Sequence, residues 1–158
     1  MRLWRLTDGR HPPFDGGGAL RTSARWHTAN GVRRVVYTAE TLSLAVLESL
    51  VRVDPDDFPN NYTAYRLDLP ETLAIREIDI AELPDDWRGI PAPASLRALG
   101  SAWLDSRAEP LLLVPSAIIP EERNILLNPD HPALGGLLAP TLTRPFQFDP
   151  RLWKESKS

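Results

Sequence analysis

The apolar residues of this chain fall into short runs that end at prolines or polar turns, and this punctuation limits the fold more than any other feature. Runs of this length suit strands better than long helices. Arg2-Leu3-Trp4-Arg5-Leu6-Thr7 alternates, with Leu3 and Arg5 facing one way and Trp4 and Leu6 the other, and reads as a strand. Further strands are expected over 35–38, over 62–69 with Pro70 as a stop, and over 73–80. Others follow over 111–114 with Pro115 as a stop, over 124–127 and over 141–148. Two stretches have helical spacing. Thr41 offers an N-cap to a helix over 42–52, with Leu44, Leu47, Leu50 and Val51 as its apolar face. A second helix is expected over 94–107, with Leu96, Leu99 and Trp103 on one face. Strands outnumber helices and do not alternate regularly with them. This argues against a doubly wound parallel sheet and for a mixed α+β domain. No repeat or linker divides the 158 residues, so one domain over 1–158 is expected.

Composition removes several function classes. The net charge is −3, and Arg33-Arg34 is the only adjacent basic pair. Nucleic-acid binding usually needs a basic stripe, so a direct nucleic-acid partner is not expected. The chain has no cysteine, which removes disulfides, thiolate metal sites and a cysteine nucleophile together. No apolar run approaches the length of a membrane span. Residues 1–10 lack the apolar stretch of a secretion signal, and a cytoplasmic protein is expected.

Several residues could carry chemistry. Glu48 lies four residues from Leu44 and three from Val51, at the border of the first helix's apolar face. A carboxylate there is either a solvated edge charge or partner of Arg52, or a group held for a purpose. Tyr37 ends a strand just upstream and can place its ring beside that helix. The irregular stretch over 8–30 holds Arg25-Trp26 and three consecutive glycines. A loop of that length is usually functional or mobile. An arginine there suits a phosphate, since its planar fork donates two parallel hydrogen bonds. Trp26 offers a stacking face, or anchors the loop to the core. Arg5 is a second possible phosphate clamp, or a solvated strand residue. The glycines match neither a P-loop nor a dinucleotide fingerprint, and read as a turn. Ser116 follows a buried strand without a nucleophile elbow around it, so a cap is the plain reading. Asn124, with Asn128-Pro129-Asp130-His131, forms a polar cluster. His11, His27 and His131 show no metal-ligand spacing, and no metal is expected.

Taken in order, Leu3-Trp4-Arg5, Arg25-Trp26, Val35-Val36-Tyr37, Ala45 through Glu48, Val114-Pro115-Ser116-Ala117, Asn124 and Asn128-Pro129 with His131 resemble the RES domain family. The resemblance runs from about Leu3 to Phe148. It implies a fold similar to that of ADP-ribosylating toxins, a split mixed sheet with helices around an NAD cleft. It implies a toxin neutralised by an antitoxin with an Xre-like helix-turn-helix, in a hetero-oligomer. NAD is then the substrate, cleaved at the nicotinamide–ribose bond, with water, phosphate or a host protein as acceptor of the ADP-ribose. Carried onto this chain, Arg5 and Arg25 look like the groups facing pyrophosphate and ribose, and Tyr37 like the ring at the nicotinamide end. Glu48 looks like the acidic catalytic residue, and Ser116 and Asn124 like the polar rim of the cleft. Two other readings are an RNA-cleaving toxin using His27, Arg25 and Glu48 as acid–base groups, and a non-catalytic module that binds a partner.

Overall fold

The structure is a computed structural model that describes residues 1–53 and 61–152, so 54–60 and 153–158 of the expected 1–158 span lie outside the described residues. Its strands are β1 (Arg2–Thr7), β2 (Val36–Ala39), β3 (Tyr62–Asp68), β4 (Ile75–Glu77), β5 (Leu111–Pro115), β6 (Arg123–Leu127) and β7 (Leu142–Phe146). Its helices are α1 (Leu42–Leu50) and α2 (Ala94–Ser106). The strands form one sheet in the order β4-β5-β6-β2-β1-β3-β7. Only β4 and β5 run parallel, and α2 lies in the connection between them, as a parallel crossover requires. Every other pairing is antiparallel. The mixed α+β architecture expected from the sequence is what forms.

The sheet is split along one seam. β1 pairs with β3 at six positions, from Arg2↔Asp68 to Thr7↔Thr63. On its other side β1 meets β2 only at Trp4↔Ala39. One half of the sheet is therefore β4-β5-β6-β2 and the other is β1-β3-β7. They touch at a single rung and part beyond it.

Side-chain alternation explains the two cores. Leu112, Val114 and Leu126 face α2 and pack with Leu96, Trp103 and Leu104, while Leu111, Ile125, Leu127 and Val36 face the opposite layer with Leu3, Phe14 and Leu67. β5 is buried on both faces, which is why Leu111-Leu112-Leu113-Val114 reads as an unbroken apolar run. β7 is an edge strand, where Pro145 costs no ladder bond on the open side.

Three expectations need correction. The strand expected over 73–80 is only Ile75–Glu77. Leu73 closes a turn onto the Pro70 carbonyl, and Asp79 caps a 3₁₀ turn over Ile80–Glu82 with a reciprocal bond from its own N–H to Glu82. The first helix stops at Leu50, where Val51 and Arg52 donate back into a tightened last turn. Its fully buried residues are Leu44 and Ala45, packed with Trp4, Ala39 and Ile119, whereas Val51 is 65% exposed. The face turned inward is thus shifted from the apolar stripe towards the Ala45 side.

Candidate active site

The parted seam opens into a cleft. A cavity of about 340 Å³ lies against β1, β2 and α1, and a larger one of about 650 Å³ continues over the loop around residues 11–25. The two share Arg5, Thr7, Tyr37, Glu48 and Arg52. From α1 the residues facing the smaller cavity are Ala45, Glu48 and Ser49, and Arg52 just past the helix end continues their stripe. Thr41 fixes the start of that helix by accepting from the Leu44 N–H at 3.1 Å. The helix therefore turns a polar, small-residue face to the cleft and its leucines elsewhere.

Glu48 is the carboxylate of this cleft, with its side chain 23% exposed. Two neutral donors hold one of its oxygens. Ser116 Oγ donates to Glu48 Oε1 at 3.0 Å and Asn124 Nδ2 donates to the same oxygen at 2.5 Å. Ser116 is fully buried, and its Oγ also accepts from the Ile118 and Ile119 N–H groups at 3.1 and 3.2 Å. The hydroxyl hydrogen is thereby aimed at Glu48. Ser116 holds the carboxylate from behind rather than standing on the rim of the cleft, whereas Asn124 also lines the smaller cavity. The second oxygen, Oε2, lies 4.0 Å from Arg52 Nη2, four residues along the helix.

Opposite stand the arginines. Arg5 Nη1 donates 2.9 Å to the Tyr37 carbonyl. The guanidinium thus takes a β2 backbone acceptor where β1 and β2 have separated. Its Nε is buried with no hydrogen-bond partner among the described residues, an orphaned donor of the kind an anion satisfies. Burial, with the like charge of Arg52, brings the Arg5 pKa down to about 10, so it stays a cation at neutral pH. Arg25 is fixed by two carbonyls, Nη1 to Trp87 O at 2.5 Å and Nη2 to Gly89 O at 3.2 Å. Burial lowers its pKa and the nearby Glu48 charge opposes that shift. Both arginines line the larger cavity, together with Arg52 and Arg88. Four arginines thus meet at one cavity, beside Asp15 and Glu48.

Tyr37 lies between these groups. His27 Nε2 faces the Thr22 carbonyl at 3.0 Å and the Ala19 carbonyl at 3.3 Å, so Nε2 carries the hydrogen. Nδ1 is then the acceptor, and the Tyr37 hydroxyl donates to it at 2.9 Å while accepting from the Trp26 N–H at 3.3 Å. Burial raises the Tyr37 pKa and lowers that of His27, which favours the neutral forms this arrangement needs. With both nitrogens engaged and the residue buried, His27 ties the loop to β2 at the wall of the larger cavity. Trp26 is buried with Trp87 and Trp103, so it anchors the loop and offers no stacking face. Gly16 keeps the left-handed φ of +69° that its turn requires, and a Cβ there would meet Pro129 and Val35 at 3.0 Å. Among the described residues no group of three His, Asp or Glu is placed to hold a metal ion.

The RES domain matches residues 2–149, nearly the whole chain. The chain belongs to the RES domain family. The Toxin Res of Yersinia enterocolitica is 33% identical over 154 residues, covering 96% of this chain and 99% of that protein. The Prs ADP-ribosylating toxin of a Sphingobium species is 38% identical over 160 residues, with 98% of each chain covered. The fold matches the M. tuberculosis MbcT-MbcA toxin-antitoxin complex with a TM-score of 0.76 at 15% identity, over 92% of this chain and 84% of that one.

In this RES domain the structure brings Arg5, Arg25, Tyr37, Glu48 and Asn124 to the walls of one cleft, with Ser116 directly behind Glu48. Two further residues were not legible as site residues. Arg52 follows the helix end, and only the fold swings it over the cleft. Gly100 sits inside α2, where a Cβ would lie 1.8 Å from the Trp26 carbonyl oxygen. The absence of a side chain there lets the loop bearing Arg25 press against the helix. A glycine in the middle of an otherwise good helix was the available signal.

Proposed function

We propose that this RES domain is the toxin of a toxin–antitoxin pair and that it cleaves the nicotinamide–ribose bond of NAD, passing ADP-ribose to an acceptor. The observation that carries the reading is a single carboxylate, Glu48, clamped by Ser116 and Asn124 in a cleft whose other walls carry Arg5, Arg25 and Arg52. The name of the Sphingobium relative, an ADP-ribosylating toxin, supports the same chemistry.

The residue roles follow from the charge that the reaction moves. As the bond from the ribose to nicotinamide breaks, its electrons leave with the ring and positive charge grows on the ribose. Glu48 faces that charge, and the hydrogen bonds from Ser116 and Asn124 keep its oxygen in place without a rotamer search. Arg5 and Arg25 bind the pyrophosphate and fix the ribose against Glu48. Tyr37 forms the wall at the nicotinamide end. The acceptor, whether water, phosphate or a side chain of a host protein, adds to the ribose and releases a proton. NAD is a substrate consumed in this scheme, and it needs no metal. The setting is the cytoplasm, where NAD is held, and the domain spans 1–158. An antitoxin with an Xre-like helix-turn-helix is its partner in a hetero-oligomer, a role supported by the toxin–antitoxin complex with the same fold.

Incubation of the purified protein with NAD labelled in the ADP-ribose half tests this reading. Release of nicotinamide, with the label on free ADP-ribose, on its phosphate ester or on a protein, is the expected result and names the acceptor. Intact NAD after prolonged incubation, alongside degraded RNA, would instead favour a nuclease.

A further inference from the structure

Arg52 has a position that the proposed chemistry does not account for. Its guanidinium carbon lies 5.8 Å from the centroid of the Tyr37 ring, and its Nη2 lies 4.0 Å from Glu48 Oε2. Both are contacts that a cation seeks, a negative aromatic face and a carboxylate. Neither ties it down. The distance to Glu48 exceeds a hydrogen bond, the side chain is 58% exposed, and the residue follows the last turn of α1. It also sits close enough to Arg5 and Arg25 to depress the pKa of both. With Arg5, Arg25 and Arg88, it makes four guanidinium groups on one cavity, and Arg52 is the one over the tyrosine.

The proposed reaction requires another cation at that place. Oxidised nicotinamide is positively charged, and its bond to ribose must lie beside Glu48 for the carboxylate to meet the developing charge. The ring next to that bond then falls on Tyr37. We propose that Arg52 selects the substrate, because its guanidinium holds the position of the cationic nicotinamide ring and must exchange it for a phosphate oxygen. A ligand with both a cationic ring and a pyrophosphate completes the exchange. The ring replaces the guanidinium over Tyr37, and the displaced guanidinium joins Arg5 and Arg25 around the phosphates. A ligand with only one of these parts completes half of it. The favoured class is thus an oxidised nicotinamide dinucleotide, over the neutral reduced form and over phosphate-free nicotinamide ribosides. This inference rests on the NAD reading above.

Calorimetric titration of wild type and Arg52→Ala with two fragments tests it. Nicotinamide riboside carries the cation without phosphate, and ADP-ribose carries the pyrophosphate without the ring. Removal of Arg52 should tighten riboside binding by roughly two- to fivefold, the release of a competing cation–π contact. The same change should weaken ADP-ribose binding by about tenfold, the loss of a charged hydrogen-bond partner. Opposite signs are the required signature. Changes of the same sign, or no change in either, overturn the role of Arg52 while leaving the NAD site standing. Failure of wild type to bind NAD or ADP-ribose at all overturns both readings. Arg52 is largely exposed, and an unchanged melting temperature of the variant confirms that it folds.

Discussion

At the scale of single residues, the proposed chemistry turns on how one carboxylate is held. Replacing Glu48 with Gln keeps the shape and removes the charge, and turnover of NAD should fall about 100-fold or more, read as nicotinamide release. Ser116→Ala removes the hydroxyl that both donates to Glu48 and accepts from two backbone N–H groups. It should lower stability by roughly 1–2 kcal/mol in chemical denaturation and reduce turnover less than Glu48→Gln does. His27 gives a prediction in pH. Burial lowers its folded pKa below the ordinary 6.5, so the folded state resists the proton that the unfolded chain accepts. Stability from this group is full above about pH 6.5 and is lost as pH falls from there towards the lowered folded pKa. A thermal-denaturation series against pH should show this slope in wild type, and a His27→Gln protein should be less stable but flatter across that window. An equal slope in both proteins would contradict the assignment of a neutral, buried imidazole.

At the scale of elements, the strands were legible because alternation and proline stops act locally. β1, β2, β3, β5, β6 and β7 fall within a few residues of their expected places. What local pattern could not supply was which way α1 turns. Leu44, Leu47, Leu50 and Val51 compose the expected apolar face, yet of these only Leu44 is fully buried, with Ala45 beside it, and Val51 is left in the open. The choice belongs to the partners, Trp4, Ala39 and Ile119, which come from distant segments. The same reason hid Arg52, whose role depends on Tyr37 and Arg5 meeting it across a split sheet. The resemblance to the RES family implies Ser116 on the polar rim of the cleft, and only the fold shows it buried behind the carboxylate. Gly100 shows how an element positions the site from afar. Gly100→Ala must displace the Trp26 carbonyl or α2, since backbone leaves no room. The expected cost is about 1–3 kcal/mol of stability. Because the displaced loop carries Arg25, ADP-ribose affinity should fall as well, in calorimetry. A protein with native stability and affinity would show that the loop has slack.

At the scale of the whole molecule, the split sheet explains why a cleft exists at all. β1 and β2 share one rung, and beyond it Arg5 satisfies a β2 carbonyl with a side chain instead of a strand. The parting leaves an opening that α1 lines with Glu48 and that the loop over 8–30 covers with Arg25. Charge is organised on the same plan, with Arg5, Arg25, Arg52 and Arg88 at one opening of a chain whose net charge is −3. An anionic ligand should be drawn to that opening by a local field rather than by overall charge, and the attraction should weaken with salt. The central claim is that Glu48 and the arginines act together on NAD. Its most direct test is the fate of NAD labelled in the ADP-ribose half, followed with wild type and with Glu48→Gln at matched concentration. Nicotinamide release and transfer of label are expected from wild type, with a reaction slower by about 100-fold or more from a variant that still binds ADP-ribose. Equal rates in the two proteins, or intact NAD with both, would contradict it.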